Sequence, residues 1–195
     1  MTTITLKELR GTALEAALNE LAALRIEVFR DFPYLYDGNF DYERDYLSHY
    51  RHEQSIIIGA YDGNRLIGAA TAGALADHAE AFSQPLVEAG YDPNRMLYCG
   101  ESVLLKHYRG QGIGHAFFDK REAHGRRLGK THSLFCAVVR PDNHPLRPED
   151  YQSLEPFWRK RGYLPEQGLL THYNWKDIDQ PEATDKPMQV WLKAL

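Results

Sequence analysis

Between Tyr98 and Leu128 the chain reads YCGESVLLKHYRGQGIGHAFFDKREAHGRRL, and this stretch restricts the fold more tightly than any other. Met96 to Leu105 is an apolar run rich in strand formers that carries one acid, Glu101. A basic, glycine-studded turn, Arg109-Gly110-Gln111-Gly112-Ile113-Gly114, then breaks the run. A polar/apolar mixture of helix length follows it to Leu128. The spacing predicts strand, loop, helix. Where such a turn opens a helix, unpaired backbone N–H groups meet the positive end of the helix dipole, and glycine removes the side chains that would keep an anion away. The turn is therefore a candidate phosphate site.

The 195 residues suffice for one well-buried domain, expected to span 1–195, and nothing in the composition calls for a second. A hydrophobic fraction of 43% and an aromatic fraction of 12% describe an ordinary globular protein. The net charge of -4 gives no general attraction to nucleic acid or to an anionic membrane, so neither is expected as a partner. Cys99 and Cys136 fall inside apolar strand-like runs and read as buried reduced thiols rather than a disulfide. The N-terminal segment MTTITLKELRG has no basic region followed by an apolar core, and no apolar run approaches membrane-spanning length. A cytoplasmic protein is the expectation.

Taken in order, Thr3 to Leu6 alternates like a short strand, and Ala13 to Phe29 has helical spacing through Leu14, Leu18, Leu21, Ala22, Leu24, Val28 and Phe29. The aromatic, proline-broken segment from Arg30 to Gly38 reads either as a lid over a pocket or as packing under a neighbouring helix. Asp41 to His52 predicts a short helix; His49 and His52 on it read as a solvated face, and no metal is expected. Ser55 to Tyr61 and Arg65 to Ala74 form two strands around the hairpin signal Asp62-Gly63-Asn64. Ala79 to Ala89 predicts a helix, and His132 to Val139 a strand. A proline-rich loop covers Arg140 to Asp150, and a short helix runs from Leu154 to Arg161. Leu169 to Trp175 and Met188 to Leu192 read as closing strands separated by a polar loop. The sum is one α+β domain with a mainly antiparallel sheet and one strand-helix-strand unit.

Three glycine loops compete for the turn. A P-loop needs a Lys-Ser or Lys-Thr after its last glycine, and none follows here. A dinucleotide fingerprint needs G-x-G-x-x-G, and its last position falls on His115 or Phe117 instead. What remains is [R/Q]-x-x-G-x-[G/A], filled by Arg109, Gly112 and Gly114. The acid Glu101 lies eight residues before the arginine, and Phe157-Trp158-Arg159-Lys160-Arg161-Gly162-Tyr163 is similar to a late F-Y-x-x-x-G-F/Y segment. The arrangement resembles the GCN5-related N-acetyltransferases over roughly residues 13 to 175.

The resemblance implies an α/β/α sandwich whose mixed, mostly antiparallel sheet has a splayed central strand pair and flanking helices. It implies acetyl-CoA as cofactor and acetyl transfer to a primary amine of a small-molecule or amino-acid-like acceptor. By the same resemblance, backbone groups of Ser102, Val103 and Leu104 would bond the pantetheine arm, with Val103 or Leu104 N–H polarising the thioester. The amides of Gly110, Gln111, Gly112, Ile113, Gly114 and His115 would cradle the pyrophosphate, with Arg109 adding positive charge. Asn143 either bonds pantetheine or serves as a turn residue. Glu101 is the candidate base for the attacking amine, or a structural acid paired with an arginine. The family's thiol-protonating tyrosine falls here on Trp158, whose indole is no useful acid. That leaves Tyr151, Tyr163 or water, or a non-catalytic acyl-CoA-binding regulatory module. Acceptor walls are expected from Arg30, Asp31, Tyr34, Tyr36 and His78. A homodimer through the terminal strands is common in the family.

Overall fold

The structure, a computed structural model, describes residues 4–78 and 80–195. Thr3 and Ala79, which begin two of the predicted elements, lie outside the described residues. The elements in order are β1 (Ile4–Leu9), α1 (Gly11–Phe29), α2 (Phe40–Ser48), β2 (Ile56–Asp62), β3 (Arg65–Ala74), α3 (Glu80–Glu88), β4 (Met96–Tyr98), β5 (Ser102–Leu104), α4 (Ile113–Arg127), β6 (His132–Val138), α5 (Glu155–Lys160), β7 (Leu164–Lys176) and β8 (Ala183–Ala194). Eight strands form one mixed sheet in the order β1-β2-β3-β4-β6-β8-β7, with β5 pairing β3 off that path. The β4–β6 pair is parallel and the others are antiparallel, which is the predicted α+β class.

The two longest helices, α1 and α4, form where their apolar period meets the sheet. On α1 the buried residues Leu14, Leu18, Leu21 and Ala22 share one stripe, and Arg25 continues it at the next helical step. The core residues of α1 and α4 meet those of β2 and β3 in the larger apolar cluster. Leu75, with Phe82 and Leu86 of α3, packs with Met96, Leu134, Trp175 and Val190 in a second. Residues 56–60 of β2 are all buried, as expected of a strand covered on both faces.

Two predicted elements differ. The single strand expected from Met96 to Leu105 is two. Met96–Tyr98 pairs in parallel with His132–Leu134, the Cys99 N–H still donates to the Leu134 carbonyl at 2.8 Å, and then the chain leaves β6. Ser102–Leu104 pairs only with β3. From Phe135 to Val138, β6 pairs on its other side with β8. A gap therefore opens between β5 and the far half of β6. The polar loop expected from Lys176 to Pro187 is the second difference: both closing strands run further than predicted, leaving only residues 177–182 as their connection.

Candidate active site

Which backbone groups face the gap follows from the register. The Thr71 N–H donates to the Glu101 carbonyl at 3.0 Å, and the Leu105 N–H donates to the Ile67 carbonyl at 2.9 Å. In an antiparallel pair alternate residues turn their polar groups the same way, so the backbone of Val103 also faces β3. Ser102 and Leu104 turn theirs to the gap. This corrects the expectation for Val103: its N–H is committed to the ladder and its side chain is fully buried. The Arg109 Nε donates to the Leu104 carbonyl at 3.2 Å, tying the glycine turn to the end of β5.

The turn itself stands open. Gly110 and Gly112 have φ of 78° and 83°, a left-handed backbone that side chains resist, and a Cβ added at either would meet nothing within 4 Å. The Ala116 N–H donates to the Gly112 carbonyl at 3.1 Å, so the amides before it lie in the helix's first turn, where no intrahelical partner exists. Gly114 differs, because a Cβ there would press on the Phe157 ring at 3.3 Å. A split sheet edge thus stands beside an open helix start that carries Arg109.

A cavity of about 340 Å³ adjoins the split at Gly100 and Glu101, with Cys136 of β6 also in its wall. A buried ion triad stands in its wall. Arg25 of α1 pairs with Glu43 of α2 and with Glu101, and the Tyr46 hydroxyl donates to the second Glu101 oxygen at 3.0 Å. Burial pulls the Arg25 pKa down, but the negative charge of Glu101, with Tyr46 and Glu43, more than offsets this and holds it well above its ordinary value. Burial and the Glu101 charge likewise push the Tyr46 phenol well up. Arg25 stays a cation and Tyr46 a donor. The Cys136 thiol is pushed up to about 12 by burial, so it is no nucleophile.

Tyr34 and Tyr36 line this cavity, which makes the Arg30 to Gly38 segment a wall rather than a bare connection. Arg30 and Asp31 are exposed outside it, Arg30 facing Asp37 at 3.9 Å. His78 stands behind a lining residue, its ring 4.6 Å from that of Tyr98. Asn143 is exposed in the loop after β6, which ends at Val138. Tyr151 sits edge-on to Phe32 at 4.7 Å. Tyr163 is the clear correction: it has no exposed surface, and its hydroxyl donates to Ser133 Oγ at 2.8 Å inside the larger core. Burial pushes its pKa far up, and with no exposed surface it packs in the core. Trp158 packs between Phe135 and Trp191, with ring centroids 5.0 and 5.1 Å away. Sequence reading missed Arg25, Glu43 and Tyr46. The available signal was a cation on the apolar stripe of α1, a position that buried charges occupy only with partners.

Residues 18–149 match the acetyltransferase (GNAT) family, and the chain belongs to that family. Among solved structures it is similar to yncA from Salmonella typhimurium, solved with its cofactor acetyl-CoA. That likeness has a TM-score of 0.65 at 8% identity and covers 99% of this chain and 94% of that one. NAA60 from Arabidopsis thaliana, solved in complex with acetyl-CoA, gives a TM-score of 0.61 at 14% identity, covering 99% of both chains. The ribosomal-protein-alanine N-acetyltransferase from Brucella melitensis gives 0.63 at 11% identity, covering 98% of this chain and 99% of its own. At such identities the likeness is one of fold. Comparison with curated protein sequences finds no match. No helix among the described residues is long and apolar enough to cross a membrane.

Proposed function

We propose that this protein is an acetyl-CoA-dependent N-acetyltransferase that acetylates the primary amine of a small acceptor by direct attack, with Glu101 as general base. The observation that carries the reading is the junction of two spaces at Glu101: the cavity ends on this carboxylate where β5 leaves β6 and exposes its edge. The family relationship and the acetyl-CoA held by yncA and NAA60 support it.

The residues present fit the cofactor. Ser102 and the Leu104 N–H offer an extended arm strand groups that β3 does not use, and the start of α4 offers first-turn amides beside Gly110 and Gly112, where a Cβ would meet nothing. Acetyl-CoA bound there supplies an acetyl thioester. With Val103 facing β3, the Leu104 N–H is the one of that pair left to polarise a carbonyl. An ammonium acceptor must lose a proton to attack, and Glu101 can take it directly or through water. Arg25 and Tyr46 fix the carboxylate's position while it does so. Tyr151 is the tyrosine left to return a proton to the leaving thiolate; water is the alternative.

Titration calorimetry with acetyl-CoA, followed by an assay of free thiol across a panel of amines, tests the reading. Saturable binding and amine-dependent thiol release are expected. A folded protein that ignores acetyl-CoA would overturn it.

A further inference from the structure

The acceptor cavity has a charge count that points to the kind of amine it takes. Among the described residues lining it, Arg25 is the one cation, and its guanidinium is already shared between Glu43 and Glu101. By formal charge, two buried carboxylates against one buried guanidinium leave this part of the wall one negative charge in excess. Asp37, also in the wall, has its own partner outside it, Lys176 at 2.9 Å. No lining cation is left to meet an acceptor's carboxylate.

Glu43 adds a second, independent sign. It has no exposed surface, yet it borders the cavity, and its Oε1 makes no hydrogen bond. The Tyr36 phenol stands close enough to interact with this carboxylate, short of good hydrogen-bond geometry, and its pKa is raised first by burial, then by the Glu43 charge and by that contact. A buried carboxylate so poorly satisfied is unfavourable, and a cation held in the cavity it borders would offset its charge without touching it. The remaining walls are largely aromatic, with Tyr34, Tyr98 and Trp175 among them. Ring faces attract cations and cover apolar bodies, and they do nothing for anions.

We infer that the acceptor is a cationic amine with an apolar body and no carboxylate, an aralkyl or alkyl amine rather than an amino acid. The inference rests on the acetyl-transfer reading and names the substrate class of the same site. Its ammonium group is drawn to the Glu43–Glu101 pair, and the rings enclose its body. A carboxylate on the carbon bearing the amine would be carried into the same desolvated, negatively charged space and repelled there.

Matched pairs separate the two claims: tyramine against tyrosine, phenethylamine against phenylalanine, cadaverine against lysine. Binding to the full chain is measured by calorimetry, and transfer by thiol release with acetyl-CoA. At least one decarboxylated member should bind and exceed its twin in kcat/KM by about a hundredfold or more. In Glu43→Gln that preference should shrink about tenfold, while acetyl-CoA affinity, read by calorimetry, stays the same. Equal or tighter binding of the carboxylated twins, or binding of no amine in the panel, overturns the inference even if some other acceptor is acetylated. Preferred binding of the decarboxylated amines without thiol release sustains it and overturns the transfer reading instead.

Discussion

Arg121, buried on α4, donates from Nη1 to the Glu101 carbonyl at 3.1 Å and to the Thr71 carbonyl at 3.4 Å. It braces the point at which the broken strand leaves β6. Its Nε and Nη2 have no hydrogen-bond partner, and the guanidinium lies 4.5 Å from the Phe118 ring. Arg121→Met keeps the volume and removes an incompletely satisfied buried charge. Relief of that charge and loss of the two Nη1 hydrogen bonds offset, so stability should change by less than about 2 kcal/mol in denaturant unfolding. The kink loses its brace, and KM for acetyl-CoA should rise by about tenfold, or roughly 1.4 kcal/mol. An unchanged KM would show that the break in the strand holds without Arg121.

Glu101→Gln keeps the shape of the side chain and its place at the end of the cavity while removing the base. kcat should fall by about 10² to 10⁴, the usual range for loss of a general base. Acetyl-CoA affinity by calorimetry should not move, since the cofactor edge is backbone. Retained kcat in a folded variant would assign Glu101 to structure, as the partner of Arg25.

Gly112→Ala places a Cβ on a residue with φ of 83°. The cost to stability should be about 1–2 kcal/mol, from backbone strain alone, because the new methyl meets no neighbour. The methyl projects into the space an anion would use. Acetyl-CoA binding should therefore weaken by more than the stability loss accounts for, whereas Gly63→Ala, with φ of 60° in the β2–β3 turn, should show the strain without the binding loss.

The two tyrosines once equal as proton donors now divide. Tyr163→Phe removes a buried hydroxyl bonded to Ser133 and should cost about 1 kcal/mol in stability with kcat unchanged. Tyr151→Phe should leave stability nearly intact and lower kcat. A fall in kcat for the first variant alone would reverse the assignment.

Burial depresses the pKa of His78 and His124 below the ordinary value of 6.5. The folded state then binds fewer protons than the unfolded state as pH falls. The contribution of these groups is complete above about pH 6.5 and is lost as pH drops through 6.5 into the depressed range. Melting temperature should decline from pH 7 to pH 5. The His124 Nε2 meets the Gln54 carbonyl at 2.9 Å, so His124→Gln, which retains an N–H donor, should flatten part of that decline.

Local chemistry made much of this protein legible in one dimension. The Gly63-Asn64 turn, the helical stripe of α1 and the glycine-opened start of α4 depend on backbone allowances and apolar period, which near neighbours determine. The same local features carried the resemblance to the family. Tertiary structure decided what depends on distant partners. Met96 to Leu105 reads as one strand because its composition is continuous, yet midway it loses β6 and keeps β3 as its one strand neighbour, and that change alone opens the gap. Val103 and Leu104 look alike in sequence; the register turns one to the ladder and the other to the gap. Arg25, Glu43 and Glu101 come from α1, α2 and the strand break, and no spacing rule connects them. They meet because burying a cation on the stripe of α1 requires carboxylates, and only the packing of α2 and the broken strand against α1 brings two of them to it.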